Sequence, residues 1–241
     1  MNAPGRALVL VDHPLLAEMV ALTLNHGRYR ARIVAAVPEA ATMLPEWRPN
    51  LAVVCMDLGD DEFLRQLGVS PNGAGSKVPV LALTRRGDLK SKLRAFEQGV
   101  DDVMTVPFSP EELLARALVI TRRTQGEQPS FQPTIKIGEI EIDILNREVR
   151  AGTSVIHLTG VEQSLLYFLA ANAGRVITRD EILDALWGPD FIAESNIVDR
   201  HVRGLRAKLL DDWRRPRFIV TVPGQGYRFI ATFPAPTADA Q

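Results

Sequence analysis

The 241-residue chain has one cysteine, Cys55. A single thiol excludes an internal disulfide and any Cys-based zinc site, and it fits a reducing compartment. Long apolar runs are missing: stretches such as ALVLV at 7–11 and LAVVCM at 51–56 are far too short to cross a bilayer. No signal-peptide pattern opens the chain, so the expected location is the cytoplasm, with no membrane partner. Also missing are a GxGxxG fingerprint, a P-loop and a nucleophile elbow. The chain is therefore not expected to be an enzyme or to need a cofactor. Neither sign of charge prevails, with 28 basic residues against 29 acidic ones and a net charge of −1, so there is no global nucleic-acid signal.

What is present is ordinary globular composition. Apolar residues make up 46% and charged residues 24%, which excludes a largely disordered chain, a collagen or a coiled coil. The length exceeds the usual domain of roughly 100–150 residues, so two domains are expected. The polar, proline-bearing stretch TQGEQPSFQPT (124–134) reads as the linker between them. Residues 1–123 then form one domain, 135–233 the second, and 234–241 a disordered tail.

In the first half, short apolar runs alternate with helical patterns. The runs are ALVLV (7–11), RIVAAV (32–37), LAVVCM (51–56), VPVLALT (78–84) and VMTV (103–106); the helical patterns lie at 14–25, in a short Pro45-interrupted segment, at 61–67, 88–99 and 110–123. Nearly continuous apolar strands separated by helices imply a parallel sheet covered on both faces, an α/β flavodoxin-like doubly wound domain with its site at the strand C-termini. Asp12 before Pro14, Asp88 before Leu89 and the SPEE box at 109–112 read as helix starts. The Gly-rich SPNGAGS at 70–76 precedes a strand, the wrong side for cradling phosphate, and reads as a flexible surface loop.

The second half changes pattern. IKIGEIEID (135–143) and residues 147–157 alternate with period 2, as antiparallel strands do. Helices are expected near 160–172, 179–187 and 195–210, the first two opened by the capping boxes Thr159-x-x-Glu162 and Thr178-x-x-Glu181. RFIVTVPGQGYRFIA (217–231) reads as a hairpin around a Gly-Gln-Gly tip. Strands, three helices and a terminal hairpin describe an α+β winged helix-turn-helix. Within 200–217, seven basic residues stand against Asp211 and Asp212. On a helical wheel Val198, Val202, Leu205 and Leu209 form one stripe, with Arg200 and Arg203 opposite and Arg206 on a flank. A helix anchored by such a stripe can lie in a major groove with its arginines toward base edges or phosphates, and the hairpin can offer Thr221 to neighbouring phosphates.

The string LTGVEQSLLYFLAANAGRVITRDEILDALWG…ESNIVDRHVRGLRAKL…RFIVTVPGQGYRF resembles the DNA-binding domain of OmpR/PhoB-type response regulators over about 100 residues. The resemblance implies a recognition helix at 195–210, a wing at 217–231 and a 188–195 loop facing RNA polymerase. It carries DNA contacts over to Arg200, His201, Arg203, Arg206 and Thr221, with Trp187 supporting the helix pair near a phosphate or filling the core. Family members often have arginine where this chain has Gly204 and Pro223, so phosphate binding should be weaker here and its salt dependence flatter.

Residues 6–123 resemble the family's receiver domain more weakly. Phosphoryl transfer to a receiver needs an acidic pair for Mg²⁺, an acceptor aspartate, a hydroxyl and a lysine. The acidic pair aligns with Val11 and Asp12, the acceptor with Cys55, the hydroxyl with Thr84, the lysine with Val106, and the switch aromatic with Val103. A thiol cannot form the acyl phosphate, so the receiver reads as degenerate and independent of phosphorylation. Asp57 lies two residues beyond Cys55, on the same face by period 2, and is the substitute acceptor candidate. The alternative is therefore a conventional phosphorelay regulator in which a histidine kinase phosphorylates Asp57, with Mg²⁺ held by Asp12 and Asp57. The resemblance also implies a homodimer on direct-repeat half-sites, paired through Lys92, Asp101, Asp102, Glu112, Arg116 and Arg122.

Overall fold

The computed structural model describes residues 4–26, 29–56, 61–67, 78–85, 88–125, 134–137, 139–143, 148–151, 154–189, 191 and 196–230. The chain divides into two compact units, Met1–Gln132 and Pro133–Gln241.

In the first unit, β1 (Gly5–Leu10), β2 (Tyr29–Val34), β3 (Leu51–Cys55), β4 (Val80–Thr84) and β5 (Asp102–Thr105) form one sheet in the order β2-β1-β3-β4-β5. All its neighbours pair in parallel. The helices are α1 (Pro14–His26), α2 (Val37–Trp47), α3 (Asp61–Gln66), α4 (Leu89–Glu97) and α5 (Pro110–Gln125). Every residue of β3 and β4 is buried, as covering on both faces requires. Alternate strand residues Leu8, Leu10, Ala52, Val54, Val80 and Ala82 pack with Ala40 of α2, Phe63 and Leu64 of α3 and Ala95 of α4. This is the expected doubly wound fold, with its crossovers ending at the C-terminal edge that carries Asp12, Cys55 and Thr84.

Local departures have physical causes. β2 begins at Tyr29, three residues before the expected run, because this edge strand is half exposed and shows no continuous apolar signature. α2 runs through Pro45 and ends at Trp47, where Arg48 turns left-handed at φ 45°. α5 extends to Gln125, so the first two residues of the expected linker are helical. Asp88 caps α4 by accepting the Ser91 amide, and Ser109 accepts the Glu112 amide at the start of α5. The segment 70–76 and the tail 234–241 lie outside the described residues.

The second unit opens with four antiparallel strands, β6 (Thr134–Ile137), β7 (Ile140–Asp143), β8 (Glu148–Ala151) and β9 (Ser154–Ile156). Then come α6 (Gly160–Ala171), β10 (Val176–Thr178), α7 (Arg179–Trp187), α8 (Ile197–Leu209), β11 (Ile219–Val222) and β12 (Gly226–Phe229). Both capping boxes form, at Thr159 and at Thr178. β11 and β12 make the expected hairpin, and β10 adds a third strand against β12 that the sequence did not announce. The ladder explains Gly226: a Cβ there would lie 2.0 Å from the Ile177 carbonyl oxygen. The result is the α+β winged helix-turn-helix expected.

Candidate functional site

The α8 helix is set by its aliphatic side. Val198, Val202, Leu205 and Leu209 are all buried, and α8 packs on α6 and α7. Removing these four side chains from water contributes roughly 1.5–3 kcal/mol each, which fixes the helix's rotation. Arg200 and Arg203 consequently stand exposed on the other side. A concavity of about 750 Å³ borders this helix, with Asn196, Arg203, Arg206, Trp213 and Tyr227 among its lining residues.

Arg206, which the wheel puts on a flank of the helix, reaches the wing. Its Nη2 donates to the Ile219 carbonyl at 2.7 Å and to Thr221 Oγ1 at 2.9 Å, so it is half-buried against the wing. Thr221 in turn is the acceptor of that bond. The wheel gives the direction of a side chain but not the carbonyl that the neighbouring strand leaves in need of a donor. Both residues therefore belong to the joint between helix and wing.

His201 stacks on Trp187 with ring centroids 5.6 Å apart, and Trp187 also stacks on Phe191. Burial and the neighbouring Arg200 hold the imidazole below its usual pKa, outweighing the opposite pull of Glu162. His201 is thus less readily protonated near pH 7 than an exposed histidine. Among the other basic residues of the run, Lys208 pairs with Glu162 at 2.6 Å and Arg217 pairs with Glu139. Gly204 faces Glu162 as well: a Cβ there would lie 3.2 Å from Glu162 Oε1.

Two further anchors escaped sequence reasoning. Arg179, the first residue of α7, grips Asp199 of α8 through Nε and Nη2 at 2.9 and 2.7 Å. The Tyr227 hydroxyl of β12 donates to the same carboxylate. The Arg179 guanidinium lowers the Asp199 pKa, while burial and Asp199 push the Tyr227 phenol up to about 12. The second anchor is buried Asp211, whose carboxylate accepts the backbone amides of Arg217, Phe218 and Ile219. The only available signal was an acid set among arginines, which composition alone reads as surface.

In the first unit, Val11, Cys55, Thr84 and Val106 are buried at the C-terminal edge of the sheet. Asp12 does not act only as a helix start. Its Oδ2 and Oδ1 accept Arg85 Nη1 and Nη2 at 2.7 and 3.0 Å, and Oδ1 also accepts the His13 amide. Burial raises the Asp12 pKa, but Arg85, the Cys55 thiol and the His13 amide outweigh it and hold the carboxyl low. Arg85 was missed because an arginine after a strand reads as solvated. Asp57 lies outside the described residues.

Four of the six charged residues expected at a dimer surface, Asp101, Asp102, Glu112 and Arg116, make contacts within one chain. Arg116 bonds Asp102 at 2.8 Å and Glu112 at 2.9 Å, and Asp101 accepts the Val80 amide at 2.7 Å. Lys92 is half-buried and Arg122 exposed. On α4, Leu89, Leu93 and Phe96 are exposed at 70%, 51% and 48%, an apolar stripe at helical spacing that the sequence reading passed over. Of the 188–195 loop only Gly188, Pro189 and Phe191 are described.

Comparisons with known proteins agree with these two units. Residues 152–229 match the family described as "Transcriptional regulatory protein, C terminal". The chain is 35% identical over 225 residues to the response regulator MprA of Mycobacterium tuberculosis (strain ATCC 25618 / H37Rv), covering 92% of this chain and 96% of that relative. It is 34% identical over 223 residues to the DNA-binding response regulator MtrA of Mycolicibacterium smegmatis (strain ATCC 700084 / mc(2)155), with the same coverage of 92% and 96%. Among solved structures it is similar to the response regulator DrrB, a Thermotoga maritima OmpR/PhoB homolog, at 28% identity and TM-score 0.41, covering 94% of this chain and 99% of that one. No helix among the described residues is long and apolar enough to cross a membrane. With a parallel five-stranded receiver unit, a winged-helix unit and relatives matched along nearly their whole length, the chain belongs to the OmpR/PhoB-type response regulators, which are transcription factors.

Proposed function

We propose that this regulator binds a specific DNA sequence as a dimer and does so without aspartyl phosphorylation. The observation that carries the DNA reading is α8 itself: a buried aliphatic stripe, with Arg200 and Arg203 exposed opposite it. In this arrangement Arg200 and Arg203 meet base edges or phosphates. Arg206 and Thr221 hold the wing against the helix, and His201 on Trp187 supports the helix pair. The 188–195 loop is the surface offered to RNA polymerase, and the exposed face of α4 with α5 is the surface for the second copy. Phosphorylation independence draws on Val11, Cys55 and Val106, which supply neither carboxylate nor ammonium, and on Asp12, which is already paired.

Genome-wide occupancy of the wild type, Asp57→Ala, and the pair Arg200→Ala with Arg203→Ala tests both parts. Matching wild-type and Asp57→Ala maps are expected, with specific occupancy abolished in the arginine pair. Persistent specific binding by that pair refutes the groove assignment. Stoichiometric gain of 80 Da after incubation with acetyl phosphate and Mg²⁺, the mass of one phosphoryl group, refutes the independence and restores the kinase-driven alternative.

A further inference from the structure

A receiver of this family takes a divalent cation at the acidic edge of its sheet. The residues of this chain do not fit that ion. Val11 stands where one carboxylate belongs, Cys55 where the second ligand belongs, and both oxygens of Asp12 are held by one guanidinium. Among the described residues no group of three His, Cys, Asp or Glu side chains could hold a metal.

We infer that Arg85 is the resident cation of this receiver and takes the place of Mg²⁺. Three observations support the assignment. The pair is bidentate, which matches the fork of a guanidinium to a carboxylate, so an incoming metal would meet a fixed positive charge at both oxygens. The Arg85 side chain is only 10% exposed and that of Asp12 29%, so solvent reaches the pair from the carboxylate side while the guanidinium is largely enclosed. The third is topological. β1 and β4 flank β3 in the sheet, so an ion pair from Arg85, directly after β4, to Asp12, two residues beyond β1, spans the end of β3, where Cys55 sits. Cys55, the last residue of β3, also helps to hold the Asp12 carboxyl low, so groups from the ends of all three central strands act on Asp12. Among the described residues a divalent ion entering here would find a single carboxylate, already paired with a guanidinium, whereas Mg²⁺ is reluctant to dehydrate and needs near-octahedral oxygen ligation. Arg85 also directly follows Thr84, so the pair pins the end of β4, the strand that leads into α4. In this receiver one positive charge, half of what Mg²⁺ would bring, is covalently attached and permanent.

This inference deepens the phosphorylation-independent reading and rests on it for its biological sense, but the two fail separately. The test is Mg²⁺ titration of the full-length chain by thermal unfolding, against NaCl at matched ionic strength, with loss of the free Mn²⁺ EPR signal as a second readout. The wild type is expected to show no saturable shift and no Mn²⁺ uptake. Val11→Asp with Cys55→Asp, which rebuilds the acids but keeps Arg85, should bind at least tenfold more weakly than the same pair with Arg85→Ser. The triple variant should gain about 3 °C at saturating Mg²⁺. Saturable wild-type binding, or equal binding with and without Arg85, overturns the assignment. The wild-type measurements decide it even if the variants fail to fold. A phosphorylated wild type with no bound metal would sink the functional reading alone, and a metal-binding wild type that stays unphosphorylated would sink only this inference.

Discussion

The Asp199 carboxylate on α8 accepts Arg179 from α7 and the Tyr227 hydroxyl from β12, so one side chain joins both helices of the helix-turn-helix to the wing. The joint depends on pH with a definite sign. Arg179 lowers the Asp199 pKa in the folded protein, so this contribution is present above the unfolded value of about 3.9 and is lost as the pH falls through the lower folded value. Both partners are about one-third exposed, so the contribution is modest, about 1 kcal/mol or less. Asp199→Asn should destabilise the winged-helix unit at pH 7 and converge on wild type near pH 2 in urea denaturation. A constant difference across that range would remove the carboxylate from the joint.

Arg206 and Thr221 should behave as a coupled pair even without DNA. A cycle of Arg206→Met, Thr221→Val and both, measured by urea denaturation of DNA-free protein, should give a coupling of at least about 0.5 kcal/mol. Additive losses would mean that their bond carries no stability and that both are free to serve DNA separately.

Two wing glycines should respond differently to alanine. At Gly226 the added Cβ meets backbone at 2.0 Å, which cannot swing aside, so Gly226→Ala should cost about 3 kcal/mol or more and detach β10 from β12. At Gly224 the backbone has φ +70° but the space is open, so alanine should cost only about 1 kcal/mol. Hydrogen exchange at Ile177 and Tyr227 distinguishes the two outcomes, since only the first should expose the ladder amides.

Association through α4 has its own test. Phe96→Glu should shift the protein from dimer to monomer in sedimentation while leaving its far-UV circular dichroism unchanged. Arg116→Glu is a poorer probe, because it also breaks bonds to Asp102 and Glu112 within the same chain. An unaltered dimer in Phe96→Glu excludes the α4 face.

Much of the fold was legible because single residue types announced it. Thr159 and Thr178 sit three residues before a glutamate and do cap their helices, and the Val198–Leu209 stripe is buried as its spacing required. β10 was hidden because three residues carry no period, and its place is set by β12, about 50 residues on by chain count. The contacts of Arg85 and Arg206 were not legible for a shared reason: a guanidinium finds acceptors distant in sequence, and neither Asp12 nor the Ile219 carbonyl is visible in local pattern. Asp211 is similar, since an acid beside arginines looked like charge balance until three backbone amides were found to converge on it.

Because Asp199, Tyr227, Arg206 and Thr221 bolt the helix to the hairpin, these two parts form a rigid reading head. The exposed side chains at 200 and 203 make none of these four hydrogen-bonded contacts. On the proposed function, retargeting this regulator to a new operator needs exchanges at those outward positions alone, with the chassis beneath left untouched.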